Sequence, residues 1–218
     1  MKKYESGVHI VDDFLNKDFN KILKRIIKLP LTPQLETPGG SKNIYTLHNI
    51  LPCHKTQNFD EVDPALHRYF RKKLQKFFNT PFTTFNCFYR KVDNGYMKDS
   101  LQTKDVRSTN YPLGTGMLHK DQYLTKKQFD GERTERPFGS VLYINTNDKE
   151  GTLFFKDNKN PIPEETVYAK KDRLLIFQGD RWHAPLHDFN KRYRVVVVFF
   201  YGLSETLINK QKKDILRA

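Results

Sequence analysis

An α+β domain is what this sequence predicts, with its strands assembled into a sandwich or barrel. Three observations lead there. Two stretches with apolar residues at helical spacing fall within the first 80 positions. From Pro81 onward the pattern changes to short β-like runs separated by turn-rich connections. The length of 218 residues suits one domain with a real core and at most a small helical appendage.

The elements follow in order. Val8-His9-Ile10-Val11 reads as a short strand that stops at Asp12-Asp13-Phe14. An amphipathic helix comes next, with Asn16 as its cap and Phe19, Ile22, Leu23, Ile26 and Ile27 along one face. Residues 30–60 read as irregular because of Pro30, Pro33, Pro38 and the Gly39-Gly40 pair. Asp63-Pro64 then opens a second helix, an N-cap followed by proline in the first helical position. Its apolar stripe is Leu66, Tyr69, Phe70, Leu74, Phe77 and Phe78. Strand-like runs are predicted at 84–92, 139–145, 152–155, 173–177 and 192–201. Segments 93–118 and 122–138 are too long for ordinary connections, and both flank His119 and Asp121. They are expected to be active-site loops that carry substrate contacts, the second a mobile lid over the site.

Composition narrows the setting. Phe (17) and Tyr (11) are plentiful, so the mean hydropathy of −0.72 reflects surface Lys and Arg rather than disorder. Cys53 and Cys87 lie far apart and form neither a CxxC site nor a disulfide framework, which predicts free thiols in a reducing compartment. No apolar run approaches the roughly 20 residues that cross a bilayer. The Met1-Lys2-Lys3-Tyr4-Glu5 start leads to a strand without an apolar leader. A cytoplasmic, soluble protein with no membrane partner is the expectation. The net charge of +13 leaves a nucleic-acid or other anionic partner open, yet the basic residues are spread evenly rather than massed.

Of seven histidines, His9, His48, His54 and His67 read as surface or core-edge residues. His119-Lys120-Asp121 is different. In extended chain, residues i and i+2 face the same side, so one imidazole and one carboxylate can reach one metal. Farther on, Arg173-Leu-Leu-Ile-Phe177 reads as a buried strand ending at Gln178-Gly179-Asp180, and His183 follows. Two imidazoles and a carboxylate form a facial triad that leaves coordination positions for a chelating ligand and O2. Arg192 lies nine residues past His183, and a guanidinium there can hold a carboxylate through paired hydrogen bonds. Alternation places Arg194 on the same face, so either arginine can serve as the clasp; the nine-residue register favours Arg192. His187 has a helical ligand spacing from His183, but its segment is not helical, and it reads as an exposed loop residue.

The series HKD, then DRLLIF with DRWH, then KRYRVVVVFF resembles the 2-oxoglutarate/Fe(II) oxygenase superfamily, in its prolyl 4-hydroxylase-like branch. VHIVDDFL, SVLYIN and EGTLFF extend the resemblance over most of the chain. It implies a double-stranded β-helix (jelly-roll, cupin-like) barrel with the N-terminal helices packed on one sheet. The single domain would span 1–218, with a helical part at 1–80 and the jelly-roll core at 81–204. It further implies Fe(II) on His119, Asp121 and His183, with 2-oxoglutarate held by Arg192 or Arg194. Tyr143 and Tyr89 fall where tyrosines line the cosubstrate pocket of related enzymes. O2 would be the oxidant and ascorbate an accessory reductant. The implied reaction couples decarboxylation of 2-oxoglutarate to succinate with hydroxylation of a C–H bond. Asp121 speaks against halogenation, because related halogenases carry a small residue there.

Three readings of function follow. The leading one is hydroxylation of a protein or peptide, of prolyl type, or of a free amino acid. The +13 charge suggests oxidation of a nucleobase, but no arginine array follows the last strand. A β-barrel binding module without turnover is the third, and the intact triad with its arginine argues against it.

Overall fold

The computed structural model describes residues 2–3, 7–35, 50–79, 82–94, 118–121 and 135–204. Eleven strands form two antiparallel sheets among them. In chain order they are β1 (Lys2–Lys3), β2 (His9–Val11), β3 (Thr32–Leu35), β4 (Ile50–Lys55), β5 (Phe82–Asp93) and β6 (Glu135–Tyr143). The remainder are β7 (Asn147–Phe155), β8 (Glu165–Ala169), β9 (Arg173–Gln178), β10 (Trp182–Leu186) and β11 (Tyr193–Ser204). The large sheet runs β1-β2-β9-β6-β11-β5-β4-β3, and the small one β10-β7-β8. Helices α1 (Phe19–Ile26), α2 (Phe59–Val62) and α3 (Pro64–Phe78) complete the fold. The two sheets face each other as a jelly roll; the described strands do not close into a continuous barrel.

Alternation along the central strands of the large sheet divides the core in two. Phe85, Cys87, Tyr89, Leu142, Leu174, Ile176, Val197, Phe199 and Tyr201 face the helices and pack on Phe19, Ile22, Ile26, Leu66, Phe70 and Leu74. Aromatic rings dominate this layer, with Phe70 edge-on to Phe199 at 5.1 Å and Phe82 stacked on Tyr201 at 4.6 Å. The opposite face carries Tyr143, Leu175, Phe177, Val196 and Val198, which meet Phe154, Val167 and Ala169 of the small sheet. That second core forms the walls of the cleft that holds the site. Cys87 is buried on the helix side, where burial raises its thiol far above the ordinary range.

Several elements differ from the sequence reading for identifiable reasons. Asn16 does not cap α1. It lies in a 3-10 turn with φ 53°, and its amide donates to the Asp172 carboxylate at 2.7 Å. The Leu15 amide donates to the same carboxylate, so the start of α1 docks on the β8–β9 turn rather than capping itself. Strands β3 and β4 and the start of helix α2 occupy part of the stretch read as irregular, and 36–49 lies outside the described residues. Sheet pairing overrides the prolines there, since Pro33 is on the outermost strand of the large sheet. Of the two expected loops, 95–117 and 122–134 lie outside the described residues, while 135–138 is the start of β6.

Asp63 does what Asp63-Pro64 promises. Its carboxylate accepts from the Leu66 amide at 3.0 Å and forms a two-pronged pair with Arg25 of α1. Burial pushes the carboxyl upward, but the Arg25 and Leu66 bonds outweigh burial and hold it below its usual range. Asn79 closes α3 in the left-handed region, φ 51°, which asparagine tolerates. Asp63→Ala should cost about 1–2 kcal/mol of stability through loss of the cap alone. The cost should shrink as pH falls through the folded-state pKa of Asp63, where the wild-type carboxylate is itself neutralised. Urea unfolding at pH 7 and at pH 3 checks both statements.

Candidate metal centre and cosubstrate pocket

Main-chain geometry brings the three proposed ligands together. His119 and His183 form an isolated antiparallel bridge, each amide donating to the other's carbonyl at 2.9 and 3.0 Å. The Asp121 amide donates to the Gly179 carbonyl at 2.7 Å, which anchors the other end of the short segment to the turn before β10. The outcome is a cluster whose donor atoms all lie within 4.8 Å of one another. His119 Nε2 is 3.4 Å from Asp121 Oδ1, and His183 Nε2 is 3.5 Å from Asp121 Oδ2. Neighbouring ligands on one ion at about 2.1 Å would be about 3 Å apart, so the spacing suits a divalent metal.

The electrostatics suit it as well. Burial pushes His183 down to about 4, so its imidazole is neutral and ready to coordinate. Its Nδ1 faces the Arg181 carbonyl at 3.0 Å, which can only accept; the proton is therefore on Nδ1 and the Nε2 lone pair faces the cluster. Burial alone would raise Asp121, but the fields of His183, His119 and Arg90 hold it below the ordinary range. Phe177 and Phe154 wall the site at 4.5 and 6.2 Å from the His183 ring. Gly139 is required beside it: a Cβ there would come 2.6 Å from Asp121 Oδ2 and 2.7 Å from the Phe177 ring.

Buried polar side chains continue along the same inter-sheet face. The Tyr143 hydroxyl, fully buried on β6, bonds Thr152 Oγ1 at 2.7 Å and lies beside Arg194. Arg194 is 5 % exposed; its Nη2 donates to the Gly151 carbonyl at 3.3 Å, and its Nε lies 3.7 Å from Glu150 Oε1. That last distance allows attraction but no hydrogen bond, and both atoms lack a hydrogen-bond partner. Buried polar groups are normally hydrogen-bonded, so this pair stands out in the interior. Burial lifts the Glu150 carboxyl above its ordinary range, against the pull of Arg194 and the Asn147 amide.

Three candidate residues fall elsewhere than the sequence reading has them. Arg192 is exposed, with its guanidinium over the Tyr193 ring at 4.8 Å. Alternation holds only within a strand, and β11 begins at Tyr193; Arg192 is in the preceding bend, so it does not share the cleft face with Arg194. Tyr89 belongs to the helix-side core, because β5 directs Phe88, Arg90 and Val92 to the cleft and the odd-numbered residues away from it. Its amide is paired with Thr56 Oγ1 at 3.1 Å. His187 is no exposed loop residue: it is 4 % exposed, and its Nδ1 bonds Asn94 Oδ1 at 2.9 Å. Burial drives it well below the ordinary histidine range, so it is neutral. The residues that sequence reasoning missed are Glu150, Thr152 and Arg90. Extending β7 two residues before Thr152 and following its alternation would have found Glu150.

No protein-family model matches the sequence, and no curated protein does. Solved structures do resemble the fold. A prolyl hydroxylase from Trichoplax adhaerens, in complex with a hypoxia inducible factor oxygen degradation domain peptide, matches 93 % of this chain and 86 % of its own. The TM-score is 0.55 and the identity 15 %. HygX from Streptomyces hygroscopicus, with nickel, 2-oxoglutarate and hygromycin B bound, matches 92 % and 84 % at TM-score 0.57 and 10 % identity. A 2OG-Fe(II) oxygenase family oxidoreductase from Burkholderia pseudomallei matches 90 % and 85 % at TM-score 0.53 and 11 % identity. The chain thus has the fold of the 2-oxoglutarate/Fe(II) oxygenases, prolyl hydroxylases among them, and carries a His-Asp-His cluster able to hold a metal.

Gly139→Ala should push Asp121 off its ligand position and weaken Ni(II) or Fe(II) binding by about tenfold or more, the loss typical when a ligand's support is disturbed. Metal titration alongside far-UV circular dichroism checks it, with the spectrum expected to match the wild type.

Proposed function

We propose that this chain is an Fe(II)/2-oxoglutarate-dependent dioxygenase that hydroxylates a C–H bond of a protein or peptide substrate. The observation that carries the reading is that the His119, Asp121 and His183 cluster and Arg194 with Tyr143 and Thr152 share the inter-sheet side of the large sheet. An iron(II) on the triad, with 2-oxoglutarate bound, supplies O2-dependent oxidation coupled to decarboxylation.

The chain's own residues have definable parts in this reading. His119, Asp121 and His183 would hold the metal, one donor atom from each. His183 keeps its proton on Nδ1 through the Arg181 carbonyl, so the ring cannot turn away from the metal. Arg194, not Arg192, receives the far carboxylate of 2-oxoglutarate: its Nε is buried without a hydrogen-bond partner, whereas Arg192 is in solvent. Tyr143 and Thr152 offer hydroxyls to the same carboxylate. Phe154 and Phe177 keep water from the metal side.

The peptide preference is supported by the Trichoplax enzyme's bound peptide. HygX, bound to hygromycin B, keeps small molecules such as a free amino acid in view as a second reading. None of the described helices is long and apolar enough to cross a membrane.

The purified protein with Fe(II), ascorbate and 2-oxoglutarate should release succinate, and a peptide array should show adducts about 16 Da heavier, one oxygen atom. His183→Ala should abolish both signals, as loss of a metal ligand must. Arg194→Met should raise the 2-oxoglutarate KM by about tenfold or more, since a charge-assisted pair is lost. Arg192→Met should leave it within about twofold, because an exposed charge contributes little. The reverse ranking of the two arginines would return the clasp to Arg192.

A further inference from the structure

The cleft contains a second arginine that the site as described leaves without a task. Arg90 is on β5, paired with Val196 of β11, and the alternation of β5 turns it toward the cleft beside Phe88. Arg194 is paired with Val92, so the two arginines are diagonal neighbours on one face of adjacent strands, a spacing of about 7–8 Å at which long side chains meet. Among the described residues the buried Arg90 Nε has no hydrogen-bond partner. Among the described residues no carboxylate lies within ion-pair distance of it, while Arg194 already faces Glu150. The field of Arg90 reaches Asp121 and also Arg194 and His187. Its guanidinium is therefore within electrostatic reach of both the metal cluster and Arg194.

Charge balance says what such a cation is for. A divalent metal against Asp121 leaves one positive charge in the cleft. Arg194 against Glu150 leaves none, and Arg90 adds another. A dicarboxylate dianion cancels both. Without Arg90, the dianion would leave an uncompensated negative charge in a region of low dielectric, where charge imbalance is costly. The Glu150 contact thus weakens Arg194 as a sole clasp, and Arg90 restores what it removes.

We propose that Arg90 is a second carboxylate-binding residue of the cosubstrate pocket, holding the dianion from the β5 side while Arg194 holds its far end. This rests on the 2-oxoglutarate reading above. Its ligand is a carboxylate of the cosubstrate; a carboxylate of the substrate is the competing source, and the experiment separates them.

The test is calorimetric binding of 2-oxoglutarate to the Ni(II)-loaded full chain, with no substrate present and no turnover. Arg90→Met should weaken binding by about tenfold or more, with Ni(II) affinity and melting temperature unchanged. Arg90→Lys, which keeps the charge, should stay within about threefold. Glu150→Gln should tighten binding in the wild-type background and recover most of the loss in the Arg90→Met background. A purely structural Arg90 would not produce that recovery. Were Arg90→Met not to fold, Arg90→Lys and Glu150→Gln alone would still read the charge balance. Unchanged 2-oxoglutarate binding in Arg90→Met, with Arg194→Met weakened, overturns the Arg90 assignment alone and moves its carboxylate to the substrate. Failure of the wild type to bind 2-oxoglutarate overturns the cosubstrate reading itself and the Arg90 assignment with it; wild-type binding by Arg194→Met overturns Arg194 as the clasp and, with it, the two-arginine pocket.

Discussion

Alternation along β5, β6, β9 and β11 is the constraint on which the rest of the molecule depends. Each of these strands gives one face to the helices and the other to the cleft, and a one-residue slip in any of them would exchange the two sets. Arg194 is a pocket residue because Val195 and Val197 must pack on the helix side. Tyr143 reaches the cleft because Leu142 is needed beneath α1 and α3. Gly139 shares the parity of Tyr143, and that parity leaves room for the Asp121 carboxylate. Aromatic packing against the helices thus fixes the register of the polar groups on the reverse side.

The sequence was legible where a local rule coincides with the global one. Asp63-Pro64 announces a helix start, and the structure uses it twice, as cap and as partner to Arg25. The runs at 84–92, 139–145, 152–155, 173–177 and 192–201 lie within or across the observed strands β5, β6, β7, β9 and β11. Illegible parts are those decided by partners far along the chain. Pro185 conceals β10, a strand that exists because β7 pairs with it. Asn16 resembles a cap, but Asp172, distant in sequence, takes its amide. Arg192 and Arg194 could not be separated without knowing where β11 starts. His187 seemed a loop residue until Asn94 came to meet it. His119, Asp121 and His183 were recognisable as donors by residue type and spacing, yet the backbone bridge that joins His119 to His183 is nowhere written in local pattern.

The interior beyond the metal cluster is more polar than the core of a β-sandwich needs. Asn94 donates to the carbonyls of Asp188 and Lys191, and Asn147 bonds the Asp188 carboxylate at 3.0 Å. With His187, Glu150 and Arg194, these residues form a connected array at the base of β10 and β11. Such arrays rigidify a site when every member is satisfied and are costly when one is not. Among the described residues, His187 Nε2, Glu150 Oε1 and Arg194 Nε are members of this array without a hydrogen-bond partner.

Pro185 carries a further consequence for solubility. On an antiparallel strand, alternate residues turn their main-chain groups to the same neighbour. His183 exchanges both of its bonds with His119, so the outward-facing position that follows on β10 is 185. A proline there has no amide hydrogen to offer. Among the described strands β10 is an edge of the small sheet, and open edges invite strands from other molecules. The metal-bearing edge is thereby occupied at one step and donorless at the next, which leaves a second chain little on which to extend the sheet.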